Sequence, residues 1–395
     1  MRSSRSIRTV LPKALPTLAL LVSLAAHDAG GQAAGVDYNA IARKLVERMA
    51  LTAGERVLLV GVPGMSDALV APLRQAVRRA GGEELGALAV QRAAPPEWGT
   101  PFTTGAAGKG VAELERYFAG VDVAVMLPGA TVTDLPYAAM QRVIGAPQAG
   151  RARTIHFHWA GAYSPDGRLL ETSPAHAFAY QRALLATEYT ALAAKQRAFE
   201  SAARGATVRV TTPAGTDLRF RIGDRPVTKQ DGDASAARAG AGRNLIDREI
   251  ELPAGAVRVA PLEESVEGSI AFPDGEWSGE PVQGLVMRFT RGRLASFTAR
   301  SGRAGVEREL ATAGDAGRAF REFALGFNPL LAIPSSGERW IPYYGYGAGV
   351  VRLSLGDNTE LGGKVGGGYV RWNFFTDATV RVGTQTWVRG GSLVK

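Results

Sequence analysis

His156 and His158 are the residues whose type and spacing most directly suggest chemistry. They stand two positions apart in an apolar run, so in a β-strand both imidazole rings point to the same face. Imidazole nitrogens bind divalent cations, and the pair could therefore supply two ligands of a metal site. No third ligand follows at the spacing of an H-x-x-E-H motif. A hydrogen-bonded histidine in a buried strand is thus the stronger interpretation, and His176 has no fixed relation to the pair.

Two other kinds of site are disfavoured by spacing. Gly61-Val62-Pro63-Gly64 follows an apolar run as a nucleotide loop would, but it does not have the G-x-G-x-x-G spacing. The next apolar run ends in Gln91, where a ribose-binding acid is expected. No G-x-S-x-G motif is present, which argues against a Ser-His-Asp hydrolase.

Aromatic side chains are concentrated towards the end of the chain. Residues 320–375 hold eleven of them, namely Phe320, Phe323, Phe327, Trp340, Tyr343, Tyr344, Tyr346, Tyr369, Trp372, Phe374 and Phe375. Such a density could line a ligand pocket, and it could equally form the core of a β-rich domain or a dimer interface.

The first half of the chain has the pattern of a parallel sheet covered by helices. Short apolar runs alternate with amphipathic stretches over residues 36–204. The predicted strands are Arg56–Val60, Leu85–Val90, Asp122–Leu127 and Thr154–Trp159. A helix is predicted over Ser66–Ala80, and one long helix is predicted from Ser173-Pro174 through Phe199.

The second half, residues 205–395, predicts a mostly β domain. Runs of β-branched and aromatic residues, such as Thr207–Thr212 and Asp217–Ile222, are separated by Gly, Asp and Pro. The Gly- and Ala-rich stretch Gln230–Gly242 is predicted to be a mobile loop. One helix is predicted at about Ala313–Leu325.

The bulk composition excludes several functional classes. The 395 residues contain no cysteine, which excludes disulfides, thiolate metal sites and thiol nucleophiles. The formal net charge is +9, but the basic residues are scattered singly, without the stripe that nucleic-acid binding requires. We therefore expect no nucleic-acid partner.

The first residues predict export. Arg2, Arg5, Arg8 and Lys13 precede an apolar stretch over Ala14–Ala26, and small residues follow, as in a secretory signal peptide spanning residues 1–34. The apolar stretch is shorter than the roughly 20 residues of a spanning helix. The expected location is the periplasm or the extracellular space, with no membrane span.

A series of short motifs in the second half resembles one known family. The motifs, in chain order, are Gly215-Thr216-Asp217-Leu218-Arg219-Phe220, Leu252-Pro253-Ala254-Gly255-Ala256-Val257, Arg321-Glu322-Phe323-Ala324-Leu325-Gly326, Val351-Arg352-Leu353-Ser354-Leu355-Gly356, Gly362-Gly363-Lys364 and Arg371-Trp372-Asn373. In this order and spacing the chain resembles the aminopeptidase T family of dinuclear metallo-aminopeptidases, from about Tyr38 to the C-terminus. The resemblance implies an α/β first domain, a β-rich second domain, a homodimer, and two divalent ions that activate water against an N-terminal peptide bond.

The resemblance also implies which positions would hold those ions, and most of them are replaced. The glutamate of the family's G-E-V segment corresponds to Ala256, and the glutamate of E-F-A-L-G is Glu322. The histidine of V-H-L-A-L-G corresponds to Arg352, and the histidine and aspartate of H-W-D correspond to Arg371 and Asn373. Alanine and arginine have no acceptor for a cation, and an asparagine oxygen is a poor one. Only Glu322 is retained.

These replacements predict a site in which arginine has taken the place of the metal ions. Glu322 would be the remaining catalytic-type residue, and Arg352, Arg371, Asn373, Lys364 and Trp372 would bind an anionic ligand or peptide in an interdomain cleft, with no cofactor. A second hypothesis is a peptidase or other hydrolase whose site has moved to His156 and His158, with a divalent metal there, or which uses Glu322 without metal. A third is a purely structural role.

Overall fold

The structure is a computed structural model that describes residues 35–157, 161–171, 173–334 and 340–395. The described helices are α1 Tyr38–Met49, α2 Asp67–Arg79, α3 Pro101–Ala106, α4 Val111–Tyr117, α5 Leu135–Gly145, α6 Pro174–Ala186, α7 Tyr189–Arg204, α8 Ala236–Gly240 and α9 Arg303–Gly317. The strands up to the middle of the chain are β1 Arg56–Gly61, β2 Glu83–Ala89, β3 Val123–Met126, β4 Arg153–His156, β5 Ala162–Tyr163, β6 Thr207–Thr211, β7 Asp217–Arg221, β8 Thr228–Lys229, β9 Glu249–Glu251 and β10 Ala256–Val259. The remaining strands are β11 Glu267–Ala271, β12 Gly275–Trp277, β13 Glu280–Val282, β14 Val286–Thr290, β15 Arg293–Thr298, β16 Phe320–Gly326, β17 Ile341–Pro342, β18 Val351–Gly356, β19 Val370–Phe375, β20 Thr379–Val382, β21 Gln385–Arg389 and β22 Ser392–Leu393.

A parallel sheet with the order β2-β1-β3-β4-β9 forms the first layer. Its strands are short apolar runs because both faces are covered by helices. Val57 and Leu59 pack in one core with residues of α1 and α2, whereas Leu58 and Val60 pack in a second core with residues of α4 and α5. The four predicted strands are present, and residues 158–159 at the end of the last prediction lie outside the described residues.

Two antiparallel sheets form the rest of the molecule. Their strand orders are β19-β18-β16-β10-β8 and β15-β14-β11-β7-β6-β20-β21-β22. The alternating pattern of β6 and β7 places Val208, Val210, Leu218 and Phe220 in the core and the intervening polar residues outside. The prediction of an α/β fold with a parallel sheet followed by a β-rich part is confirmed.

Strand β9 connects the two halves of the chain. The predicted boundary lies at residues 204 and 205, yet β9 pairs in parallel with β4, with His156 opposite Glu251. The outer edge of β9 is hydrogen-bonded by Gln230, whose side chain donates to the Glu249 carbonyl and accepts from the Glu251 N–H, at 2.8 and 2.9 Å. Residues beyond the boundary thus complete the first sheet, and the described residues all belong to one compact unit.

The long helix predicted from Ser173 through Phe199 is wrong as a single element. It is two helices, α6 and α7, separated by Thr187 and Glu188. The hydroxyl of Thr187 donates to the Ala183 carbonyl at 2.6 Å, and the hydroxyl of Tyr189 donates to the Leu184 carbonyl at 2.6 Å. These side chains satisfy carbonyls that a continuing helix would have used, so the chain can turn there.

The helix predicted at Ala313–Leu325 is also wrong. Helix α9 ends at Gly317, and residues 320–326 form β16, which is buried along its whole length. Strand β16 lies between β18 and β10, so both of its edges are hydrogen-bonded. These tertiary contacts override the helical preference of its sequence. Glu322 consequently lies on a strand.

The stretch Gln230–Gly242, predicted to be a mobile loop, is a packed segment that contains α8. Ala234 is fully buried, and its carbonyl accepts a 2.6 Å hydrogen bond from the guanidinium of Arg153. Small residues are required here by close packing. None of the described helices combines the length and apolar character needed to cross a bilayer.

Candidate ligand-binding site

A cavity of about 290 Å³ lies between the carboxyl edge of the parallel sheet and one face of the sheet that contains β16. The residues that line it are Ala130, Thr131, Val132, Tyr137, Gln141, His156, Ile246, Glu249, Glu251, Arg258, Tyr344, Tyr346, Arg352, Glu360 and Trp372. The carboxyl edge of an open parallel sheet is where such folds commonly bind ligands. Charged residues of both signs line this cavity.

Glu322 lies at the base of the basic end of the cavity and is fully buried. Its Oε1 accepts hydrogen bonds from Nε of Arg258 and from Nη2 of Arg352, both at 2.7 Å. Its Oε2 accepts from Nη2 of Arg258 at 3.3 Å and from Nη1 of Arg321. The contact between Glu322 and Arg352 expected from the sequence is present, and two further arginines join it.

A β-bulge explains why neighbouring residues Arg321 and Glu322 belong to one cluster. Phe320 is opposite Leu355 and Glu322 is opposite Ser354, so Arg321 is the extra residue of β16. A bulge turns consecutive side chains towards the same side of a sheet. The guanidinium of Arg321 therefore contacts both Glu322 and Glu360.

The electrostatic consequence at Glu322 is clear. Burial by itself would raise its pKa, but Arg258, Arg352 and Arg321 together hold the pKa of Glu322 well below its usual value. Three guanidiniums face Glu322 and Glu360, which leaves one excess positive charge at this end of the cavity.

Two guanidinium nitrogens at this end have no hydrogen-bond partner within the described parts of the chain. Nε of Arg352 is buried and unpartnered, although the other two nitrogens of that group bond to the Tyr344 carbonyl and to Glu322. Arg258 uses Nε and Nη2, and its Nη1 makes no hydrogen bond to a described residue. Both side chains line the cavity. An unsatisfied buried donor is unfavourable, and a ligand acceptor would satisfy it.

The structure does not bring Arg371 and Asn373 into this cavity, contrary to the prediction. In the antiparallel pair of β18 and β19, Trp372 is opposite Ser354 and Phe374 is opposite Arg352, so these four share the cavity side of the sheet. Arg371 and Asn373 point to the other side. If Arg371-Trp372-Asn373 is aligned with the family's H-W-D segment, the two ligand positions therefore lie on the side of the sheet that faces away from the cavity.

Arg371 and Asn373 have different surroundings from the cavity residues. Arg371 donates to Glu309 at 2.9 Å and lies 3.7 Å above the ring of Trp277. Asn373 is buried among core residues, and neither of its amide atoms has a hydrogen-bond partner among the residues described. Trp372, in contrast, lines the cavity and lies 5.1 Å from the guanidinium of Arg352.

Lys364 and Ala256 are the remaining positions singled out from the sequence. Lys364 is exposed, and its backbone N–H donates to Glu263 at 2.8 Å. It does not line the cavity. Ala256 is fully buried on β10, two residues before Arg258 and on the same side of the sheet.

The other end of the cavity is acidic and lies on the parallel sheet. Thr154 is opposite Glu249 and His156 is opposite Glu251, so these side chains share one face. Nδ1 of His156 is 3.4 Å from Glu251, and Nε2 is 3.9 Å from Glu249. Two elements support the carboxylates, because Gln141 on α5 donates to Glu249 at 3.0 Å and the hydroxyl of Tyr343 lies 3.1 Å from Glu251.

Burial and charge perturb the titration of this acidic end. Burial, with a further contribution from Glu360 and Glu251, raises the pKa of Glu249 to about 7 despite the opposing effects of His156 and Gln141. Burial alone would lower the pKa of His156, but Glu249, Glu251 and Glu360 raise it above its usual value. Glu249 thus carries a proton for part of the time at neutral pH.

Of the other two predicted histidines, the structure describes His176. His158 lies outside the described residues. His176 lies in the first turn of α6, 4.3 Å from Trp340 between ring centroids, and lines a separate space of about 720 Å³.

Several cavity residues were missed at the sequence level. Arg258 stands two positions after Ala256, and the period of two in a strand would have placed it on the same face. Glu249 and Glu251 flank Ile250 in a short alternating segment, which is the pattern of a half-buried strand. Nothing in the sequence signals that Glu360, in the short 3-10 turn Thr359–Leu361, contacts Arg321.

Solved structures with a similar fold identify this architecture. One is wild-type AmpT from Thermus thermophilus, which superposes with a TM-score of 0.55 at 18% identity, covering 91% of this chain and 99% of that chain. Another is 2,5-dihydroxypyridine dioxygenase from Pseudomonas putida, with a TM-score of 0.60 at 15% identity, covering 91% of this chain and 98% of that chain. The chain has an aminopeptidase T-like fold. No family model matches the sequence, and no curated protein matches it.

The residues of this aminopeptidase T-like fold do not fit the pair of metal ions that the family resemblance implies. Both carboxylate oxygens of Glu322 accept hydrogen bonds from arginine, and Ala256 offers no donor atom. Histidine and aspartate ligands would be needed on the cavity side of β18 and β19. The side chains there include Arg352, Trp372 and Phe374, which have no acceptor for a cation. Within the described ranges no group of three or more His, Cys, Asp or Glu residues is arranged to hold a metal ion.

Proposed function

We propose that the protein is an aminopeptidase T-like protein that has lost the dinuclear metal site and binds a small anionic ligand in the cavity between Arg258, Arg352 and Trp372. The carboxylate of the ligand accepts hydrogen bonds from Nε of Arg352 and Nη1 of Arg258. Arginine is suited to this task because it presents several donors in a fixed plane. The observation that carries the proposal is that Arg258 and Arg352 both line the cavity and that Arg352 has a buried Nε without a hydrogen-bond partner among the described residues.

The cluster around Glu322 prepares this end of the cavity for an anion. Glu322 and Glu360 neutralise two of the three guanidiniums and hold them in place, and one positive charge is left over. The aromatic ring of Trp372 covers the guanidinium of Arg352 and excludes water from it. A carboxylate that enters the cavity therefore gains charge-assisted hydrogen bonds to donors that are already oriented.

The experiment is a calorimetric titration of the protein with propionate, butyrate and glutarate, comparing Arg352→Gln with Arg371→Gln. The two arginines lie on adjacent strands, β18 and β19, and of the two only Arg352 lines the cavity. We expect Arg352→Gln to weaken carboxylate binding by roughly tenfold or more, and Arg371→Gln to leave it unchanged. Absence of binding to the unchanged protein, or equal weakening in both variants, would contradict the proposal.

A second candidate function is hydrolysis at a relocated, metal-independent site, favoured by the group of His156, Glu249 and Glu251. A carboxyl group with a pKa of about 7 inside a cavity is suited to general acid–base catalysis. The test is an assay on leucine anilides with and without a chelator, together with metal analysis of the purified protein. Chelator-resistant turnover that disappears in Glu249→Gln supports this candidate. Metal near two per chain contradicts both candidates.

We also propose that the chain is exported and forms a homodimer. Export rests on the basic and apolar character of residues 1–34, and N-terminal sequencing of the protein from its native host tests it. An intact Met1 on protein from that host would contradict export. The dimer rests on the family resemblance alone, and sedimentation at several protein concentrations tests it.

A further inference from the structure

Trp372 has a hydrogen-bond donor at the wall of the cavity that the proposed carboxylate does not use. Its indole Nε1 is buried and has no hydrogen-bond partner within the parts of the chain that the structure describes. Trp372 lines the same cavity as Arg258 and Arg352. A buried N–H group without an acceptor is unfavourable, and an acceptor on the ligand would remove that cost.

The ring of Trp372 is held in one orientation beside Arg352. The rings of Tyr163 and Tyr344 pack edge-to-face against it, with 5.9 and 5.2 Å between ring centroids. The guanidinium of Arg352 lies over its face, 5.1 Å from the ring centroid. The indole donor and the arginine donors therefore belong to side chains in contact, so the ligand atoms that they bind must be close neighbours.

These donors require more than the two oxygens of a carboxylate. In the proposed function, those two oxygens accept hydrogen bonds from Nε of Arg352 and Nη1 of Arg258. The acceptor for Trp372 is then a third ligand atom, and the short distance between the side chains places it on the carbon next to the carboxylate. An indole N–H only donates hydrogen bonds, and a carbonyl oxygen only accepts them.

We propose that the ligand is a short 2-oxo acid, whose carboxylate lies at Arg258 and Arg352 and whose 2-oxo oxygen accepts a hydrogen bond from Nε1 of Trp372. This inference rests on the proposed function and adds the chemical class of the ligand to it. An ammonium group at the same carbon, as in an α-amino acid, has no acceptor atom and would leave Nε1 of Trp372 unsatisfied.

Tyr346 and the size of the cavity agree with this class of ligand. Tyr346 lines the cavity, and its hydroxyl makes no hydrogen bond to a described residue. Burial raises the pKa of Tyr346, so the hydroxyl keeps its proton and can donate to an oxygen of the ligand at neutral pH. The volume of about 290 Å³ is at the small end of the range for ligand sites, which suits an acid of few carbon atoms.

The test is a calorimetric titration of the full-length protein with compounds that share a carbon skeleton. Propionate, pyruvate and alanine differ only at carbon 2, and butyrate with 2-oxobutyrate and glutarate with 2-oxoglutarate are longer pairs. We expect the best 2-oxo acid to bind roughly tenfold or more tightly than its matched carboxylate near pH 7. Alanine should bind no more tightly than propionate. Because an oxo group makes the neighbouring carboxylate less basic, the carboxylate itself does not explain tighter binding.

A matched pair of tryptophan variants tests the donor. Trp372→Phe keeps an aromatic ring beside Arg352 and removes the N–H, so we expect the ratio of the pyruvate and propionate affinities to fall close to one. Trp387→Phe is the control, because Trp387 on β21 also has a buried Nε1 without a partner among the described residues but does not line the cavity. It should retain the full ratio. Thermal unfolding of each variant verifies folding.

The indole N–H resonances give a readout that does not depend on the folding of Trp372→Phe. The chain has six tryptophans, so the indole region of a nitrogen-labelled sample is simple enough to follow during a titration. Pyruvate should move one indole N–H resonance downfield, since that N–H gains an acceptor, and propionate should move it much less. Equal shifts with pyruvate and propionate would contradict the assigned hydrogen bond.

Each outcome of the titrations has a defined meaning. If the 2-oxo acids and the simple carboxylates bind equally, the inference fails and the proposed anion site stands. If alanine binds more tightly than pyruvate, or if the advantage of pyruvate persists in Trp372→Phe, the indole N–H does not select an oxo group and the inference fails. If none of the compounds binds, the proposed function fails together with the inference.

Discussion

Glu322 and Glu249 are both buried glutamates of one cavity, yet their carboxyl groups are held in opposite states. Glu322 is surrounded by three arginines, and its pKa lies well below its usual value. Among the described residues, Glu249 has His156 as a cationic neighbour and the nearby carboxylates Glu251 and Glu360, and its pKa is raised to about 7. Burial acts on both in the same direction, so the number of compensating charges decides the outcome.

The comparison shows that the charges around a buried carboxylate decide whether its pKa is raised or lowered. The antiparallel sheet supplies Arg258 and Arg352 from strands on either side of Glu322, and a bulge adds Arg321. On the parallel sheet, the described neighbours of Glu249 include His156 on β4 and Gln141 on α5. A buried carboxylate with several cationic neighbours remains ionised, whereas one with few of them has a raised pKa and retains its proton to higher pH.

The largest expected effect is the loss of Glu322. Glu322→Gln leaves three buried guanidiniums facing Glu360 alone, and removing one partner of a buried ion pair costs about 3–5 kcal/mol. We expect the free energy of unfolding, measured with urea, to fall by about that amount. Glu83→Gln is the control and should change it by less than about 0.5 kcal/mol. A loss below about 1 kcal/mol for Glu322→Gln would show that the cluster is not held by that carboxylate.

The next prediction is that Glu249 and Glu322 change the free energy of unfolding in opposite directions as the pH rises. The folded pKa of Glu249 exceeds its unfolded value of about 4.3, so its contribution is fully present below about pH 4 and is lost as pH rises to about 7. Glu249→Gln should therefore unfold less readily than the unchanged protein at pH 8, by roughly 3–4 kcal/mol. The folded pKa of Glu322 is depressed, so its contribution is present above about pH 4 and is lost below that.

Urea unfolding across pH 4–8 measures this contrast. The unchanged protein should lose stability between about pH 4 and 7 more steeply than Glu249→Gln does. Identical slopes in the two proteins would mean that Glu249 is ionised in the folded state and that its charge is compensated by a group other than His156.

The smallest effect concerns Asn373, on the far side of the sheet from the cavity. Both of its amide atoms are buried without a partner in the described structure. Asn373→Leu removes that penalty at a position beside Leu353, and we expect the melting temperature to rise, corresponding to about 1 kcal/mol. Carboxylate binding should be unchanged. A decrease in melting temperature would indicate that the amide has a structural partner.

The sequence predicted the parts of the fold that depend on short-range pattern. The strands near Arg56 and Asp122 were found because buried parallel strands are continuous apolar runs bounded by polar residues. The strand at Phe320–Gly326 was missed because charged residues interrupt its pattern, and they are tolerated only where ion pairs satisfy them. The break between α6 and α7 was missed because side-chain hydrogen bonds terminate the helix without a proline or glycine.

The sequence by itself predicted that the chain is α/β with a β-rich second half, and that Glu322 lies close to arginines. Only the tertiary structure decided which arginines those are, because the register of β19 and the bulge in β16 fix which side chains share a face. It alone placed Glu249 and Glu251 in the same cavity, since β9 crosses from the second half of the chain to the edge of the first sheet. Pairing between strands that are distant in sequence depends on the burial of whole sheet faces, so a short sequence motif does not specify it.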